Sequence, residues 1–132
     1  MESLSILLVE DDPDDVELMR DALLEKDIAF NLDVVKQGDA VIPFLKSCKK
    51  FPNVILLDLN LPKLHGREVL VKLKEDADLK HIPVVILTTS SAQSEKEYCL
   101  EAGATEFLTK PTTVEGFASC IASILEIAGV KI

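Results

Sequence analysis

Asp58, Thr88 and Lys110, with the acidic pair Glu10 and Asp11, are suited to hold a divalent cation and a phosphoryl group, and each stands at the end of a short apolar run. The run Ile6 to Val9 stops at Glu10 and Asp11, Val54 to Leu57 at Asp58, Val84 to Leu87 at Thr88, and Phe107 to Thr109 at Lys110. A carboxylate becomes a useful nucleophile toward phosphorus when a divalent cation neutralises the phosphoryl oxygens and a fixed cation accepts the developing negative charge. Asp58 fits the nucleophile. Magnesium prefers six oxygens and keeps several waters, so one or two carboxylates and a backbone carbonyl suffice to hold it. Asp11 and Asp58 would bind directly, Glu10 through water, and the carbonyl of Asn60 would complete the protein share. Thr88 offers a hydroxyl to a phosphoryl oxygen and Lys110 a point charge to another.

Such a pocket exists only if the runs are parallel strands, because open α/β sheets bind ligands beyond the carboxyl ends of their strands. The runs alternate with helix-like segments, the pattern of a parallel sheet covered on both faces. Asp12 is a good N-cap, Pro13 suits the first helical position, and Asp14, Asp15 and Glu17 complement the helix dipole. That explanation is sufficient for Asp12, Asp14 and Asp15, which are expected to cap or to face solvent. Phe30 to Val35 alternates partly, as an edge strand does. A short helix follows Gly38 and Asp39, and a clear one follows Gly66, with Val69, Leu70 and Leu73 as its apolar stripe. A helix from about Ser91 to Ala102 ends at Gly103, and the last runs from about Thr113 to Ala128. Five strands and five helices result.

The chain of 132 residues is expected to form one domain, 1–132, with no effector domain attached. No apolar stretch approaches the roughly 20 residues of a spanning helix, and no secretory signal is visible, so a cytoplasmic protein without membrane partners is expected. Three cysteines, Cys48, Cys99 and Cys120, lack disulfide or zinc spacing. A net charge of −9 leaves no basic stripe for a phosphate backbone, which argues against nucleic acid. His65 and His81 have no ligand-spaced partners and are assigned no chemistry.

Four strings, in order, resemble the receiver domain of two-component response regulators. They are Ile6-Leu7-Leu8-Val9-Glu10-Asp11-Asp12-Pro13; Leu56-Leu57-Asp58-Leu59-Asn60-Leu61-Pro62 with Gly66 beyond; Leu87-Thr88-Thr89-Ser90; and Ala102-Gly103-Ala104 before Lys110-Pro111. The resemblance covers nearly the whole chain. More narrowly, the segments around Asp58, Gly66 to Leu70 and Ile82 to Ser90 are similar to stand-alone receivers that partner phytochrome-type histidine kinases. The resemblance implies a doubly wound, flavodoxin-like five-stranded parallel sheet of order 2-1-3-4-5 with helices on both faces. It implies Asp58 as phosphoacceptor, Glu10 and Asp11 as the acid pair, Mg2+ or Mn2+ as cofactor, Thr88 as switch hydroxyl, Phe107 as switch aromatic and Lys110 as the pocket lysine. A cis peptide before Pro111 is implied as well. Glu10 stands where aspartate is commoner, and its longer side chain reaches a metal-bound water.

The expected function is phosphoryl acceptance from a histidine kinase or phosphotransfer protein, followed by a phosphorylation-dependent surface change read by an output partner. On this reading the protein catalyses only its own phosphorylation and dephosphorylation. An enzyme of the aspartyl-phosphate phosphatase type, turning over small substrates, is the rival from another class, but that class usually places its nucleophile after the first strand with a second aspartate two residues on, whereas Asp58 is central and followed by Asn60. A receiver that works unphosphorylated is a second rival, opposed by the intact Asp58, Thr88 and Lys110. On the last helix, Cys120, Ile124 and Ile127 form an apolar shoulder beside the inward stripe of Val114, Phe117, Ala118, Ile121 and Leu125. That shoulder is either a weak homodimer or partner surface, or a wide core face.

Overall fold

The protein's structure, a computed structural model, describes residues 3–89 and 92–129. Its strands β1 (Leu4–Val9), β2 (Phe30–Val35), β3 (Val54–Leu57), β4 (Val84–Thr88) and β5 (Glu106–Thr109) are all parallel, in the order β2-β1-β3-β4-β5. Between them run α1 (Pro13–Leu24), α2 (Val41–Ser47), α3 (Gly66–Glu75) and α4 (Gln93–Glu101), and α5 (Val114–Ile127) follows β5.

Pleating divides the core in two. Along β1, β3 and β4, Ile6, Leu8, Val54, Leu56, Val85 and Leu87 pack with α1 and α5, while Leu7, Val9, Ile55, Leu57, Val84 and Ile86 pack with α2, α3 and α4. The inner strands are therefore apolar on both sides, as a doubly covered parallel sheet requires. Edge strand β2 alternates exposed and half-buried positions up to the buried Val35.

Local chemistry sets the helix ends. Asp12 Oδ1 accepts from the Asp14 N–H at 2.9 Å, and Pro13 takes the first helical position of α1. The segment after Gln37 begins as a 3-10 turn, Gly38–Ala40, before α2. Gly66 is the first residue of α3 rather than its predecessor, and His65 caps that helix by accepting the Arg67 N–H on its ring Nδ1 at 3.1 Å. Helix α4 ends in a left-handed Gly103 (φ 111°), with the Gly103 N–H donating to Leu100 O and the Ala104 N–H to Cys99 O. This is a Schellman cap. The expected start of that helix, at Ser91, and Ser90 of the third string lie outside the described residues.

Helix α5 corrects the reading of its shoulder. Phe117, Ile121, Ile124 and Leu125 are buried, and Cys120 and Ile127 are half-buried against the same core. Ile124 is thus core and leaves the proposed interface, because the i, i+4, i+7, i+8 stripe that meets the sheet and α1 is wide enough to include it. Val114, expected inside, is 44% exposed at the first turn, before the helix settles onto the sheet.

Candidate phosphoryl-transfer site

Strand parity decides which side chains meet. Glu10 continues the face of Leu8, Asp58 that of Leu56, and Lys110 that of Leu108, all on the α1 side of the sheet. Backbone bonds fix their heights: the Asp58 N–H donates to Val9 O at 3.1 Å, and the Lys110 N–H to Thr88 O at 2.7 Å. Three strand ends are thereby brought around one point.

That point is the ammonium of Lys110, whose side chain is 8% exposed. It donates to Asp58 Oδ2 at 3.1 Å and to Asp15 Oδ2 at 2.8 Å, and it pairs with Glu10 Oε1. An ammonium has three N–H donors, so its capacity is filled. Burial opposes its charge, but the carboxylates of Asp15, Glu10 and Asp58 outweigh burial and raise its pKa. The opposite balance holds at Glu10. Burial, helped by the charge of Asp58, pushes its carboxyl up to about 7 despite the hydrogen bonds from Lys110 and from the Asp12 N–H.

Glu10, Asp11 and Asp58 each offer an oxygen, all within 4.8 Å of one another, with Asp11 exposed and the other two buried. Three hard oxygen donors this close, open to solvent on one side, fit a small divalent cation that keeps part of its water. Asn60 lies in the exposed loop beyond β3, and its N–H donates to Asp58 Oδ1 at 3.3 Å. Gly66 lets this loop close: a Cβ there would stand 2.4 Å from Asp58 O and 2.6 Å from Leu59 Cα. The Gly66 N–H donates to Leu59 O at 2.9 Å.

Thr88 is fully buried at the end of β4. It shares pleat parity with Ile86, which pairs with Phe107 across β4 and β5, so Thr88 and Phe107 lie on the α4 side of the sheet. Phe107 is a buried member of that core. Cys120, Ile124 and Ile127 are on α5, within the α1-side core or against it.

Two sequence expectations change. No described peptide bond is cis, so the bond before Pro111 is trans. Trans is the lower-energy form even before proline, by about 0.5–1 kcal/mol, and the bond from Lys110 N–H to Thr88 O already aims the long lysine into the pocket. Asp15, expected to cap or face water, instead binds Lys110.

A carboxylate trio thus stands beside a buried ammonium beyond the strand ends of a 2-1-3-4-5 sheet, and the sequence matches the response regulator receiver domain family over residues 6–122. The chain belongs to that family. Among curated relatives, response regulator Rcp1 of Synechocystis sp. is 39% identical over 124 residues, covering 90% of this chain and 84% of Rcp1. Among solved structures, the phosphorylated cyanobacterial phytochrome response regulator RcpA superposes with a TM-score of 0.87 at 32% identity, over 95% of this chain and 93% of RcpA. The Mn2+-bound form of Rcp1 gives 0.83 at 38% identity, over 93% and 92%.

In this receiver a cross-link joins the start of α3 to α4. The Arg67 guanidinium lies 5.5 Å from the Tyr98 ring centroid, and its Nε is 3.4 Å from Glu95 Oε1. Helix α4 otherwise buries only Cys99. A cavity of about 580 Å³ lined by Gly38, Asp39, Ile42, Leu64, Lys72, Glu75 and Asp76 includes none of Glu10, Asp11 and Asp58. Among the described residues, no helix is long and apolar enough to cross a membrane.

Proposed function

We propose that this receiver takes a phosphoryl group onto Asp58 from the phosphohistidine of a histidine kinase or phosphotransfer protein, the kinase being of the phytochrome type. The observation that carries the reading is the ammonium of Lys110, 3.1 Å from Asp58 Oδ2 in a pocket whose other charges are carboxylates. An Asp58 oxygen attacks phosphorus, the P–N bond breaks, and its electron pair leaves with the imidazole, which takes up a proton. Lys110 offsets the charge on the phosphoryl oxygens. Glu10, Asp11, Asp58 and the Asn60 carbonyl would hold Mg2+ or Mn2+, which when bound neutralises the oxygens of the incoming dianion. The Mn2+-bound Rcp1 and the phosphorylated RcpA support both parts.

Phosphorylation then draws Thr88 toward the new charge and gives Phe107 room to reorient, changing the surface of α4, β5 and α5 that a partner protein reads. The test is mass spectrometry after incubation with acetyl phosphate, with and without Mg2+. The expected result is a single phosphoryl addition that requires Mg2+ and is absent from Asp58→Asn. Equal addition to Asp58→Asn would overturn the assignment.

A further inference from the structure

Lys110 carries a four-carbon side chain with free rotors, yet the proposed chemistry needs its ammonium at one point. Asp58 and Glu10 contact it from the ends of β3 and β1, both from inside the pocket, with side chains only 6% and 3% exposed. The third contact comes from a different element and a different side. Asp15 belongs to the first turn of α1, its side chain is 24% exposed, and its Oδ2 makes the 2.8 Å hydrogen bond. It is the partner on the solvent side of an ammonium that is itself nearly buried.

The three contacts also differ in what they can do during transfer. Glu10 and Asp58 are both among the carboxylates that can face a cation, so their oxygens are shared between cation and ammonium. Asp15 lies outside that trio and has no competing partner of this kind. Its hold on Lys110 can persist while the other two are engaged.

We propose that Asp15 is a positioning residue, which fixes the Lys110 ammonium beside Asp58 by a hydrogen bond from the solvent side and so keeps it aimed at the incoming phosphoryl group. This rests on the proposed role of Asp58. Without Asp15, Lys110 keeps its charge but gains rotamers that point toward water, and transfer loses the fraction of time spent misaligned. An asparagine at 15 retains an acceptor of the same shape, so the hold weakens without disappearing.

The test compares the parent chain with Asp15→Ala and Asp15→Asn in two measurements. The first is the 15N–1H signal of the Lys110 ammonium, which is visible only when its protons are held and shielded from exchange. The second is the initial rate of phosphorylation by acetyl phosphate in saturating Mg2+. The expected result is an ammonium signal in the parent that is lost in Asp15→Ala and regained in Asp15→Asn. The Asp15→Ala rate should fall about tenfold, the order expected for one charge-assisted hydrogen bond, and Asp15→Asn should recover most of it. A parental signal and rate in Asp15→Ala, or an Asp15→Asn no better than Asp15→Ala in both measurements, would overturn the proposal. If the parent itself takes no phosphoryl group, the reading of Asp58 fails, and the ammonium signal alone decides whether Asp15 positions Lys110.

Discussion

Arg67 Nε stands 3.4 Å from Glu95 Oε1, an ion pair that ties the second residue of α3 to the first turn of α4. The tie matters because α4 has little else. Its N-cap, Ala92, makes no side-chain capping bond, and Cys99 is its only buried residue. A half-exposed ion pair and a surface cation–π contact are each worth about 0.5–1 kcal/mol. Replacing Arg67 with alanine should therefore raise amide hydrogen exchange in α4 about five- to thirtyfold and leave the β1 and β3 amides unchanged. Exchange in α4 equal to that of the parent would show that the cross-link does not hold the helix.

Glu10 should make the metal-free protein less stable as pH rises. Its carboxyl has a pKa of about 7 in the fold against an ordinary value of 4.5, so the folded chain keeps a proton that the unfolded chain releases in that window. The stabilisation is fully present below the unfolded value and lost as pH rises through about 7. Calorimetry in chelator should show Tm falling on the order of 5 °C between about pH 5 and pH 8, with a flatter profile for Glu10→Gln. Divalent-cation affinity should rise over the same interval, since the ligand must ionise. A Glu10→Gln profile as steep as the parent's would assign the effect elsewhere.

Gly66→Ala tests how tightly the loop after Asp58 is closed. The added methyl would sit 2.4 Å from Asp58 O, a backbone atom that cannot rotate aside. Overpacking of this kind costs about 1–3 kcal/mol, and here the displaced atoms carry the carboxylate. Urea denaturation should register the loss, and Mg2+-dependent phosphorylation should slow in parallel. Unchanged values for both would mean that the loop has room the structure does not indicate.

The two isoleucines late in α5 should behave differently. Ile124 is fully buried, and its truncation to alanine should cost about 2–4 kcal/mol in denaturation experiments. Ile127 is half-buried at the rim, where a glutamate can turn its head to water, and Ile127→Glu should cost well under half as much. Sedimentation of Ile127→Glu with and without a beryllofluoride phosphoryl mimic then reports on any dimer using that rim. Equal destabilisation by both substitutions would place Ile127 in the core with Ile124.

The sheet and the candidate site residues at its strand ends were legible because they depend on short, continuous apolar runs that end at polar or charged residues, as Val54 to Leu57 ends at Asp58. Asp12 and Pro13 marked the start of α1, and Gly103 the end of α4, through short-range backbone chemistry. Asp15 was missed for the same reason. Its local role at a helix start was sufficient, and nothing nearby in sequence reveals a lysine 95 positions away. Ile124 was misread because the width of a helix's buried face depends on its neighbours; packing against both the sheet and α1 widens it beyond the central stripe. The bond before Pro111 depends on the path of one turn, for which the sequence supplies only a permissive proline.

The ammonium of Lys110 is separated from Asp58 by 52 residues and from Asp15 by 95. Translation therefore delivers the acids long before their counter-ion. A ribosome-bound chain that has released β1, α1 and β3 can gather the carboxylates only against their mutual repulsion, and β5 must clear the exit tunnel and dock beside β4 before a fixed positive charge arrives. An unfinished or prematurely terminated chain thus lacks the fixed cation of the pocket, and the last strand to be made is the one that completes the site.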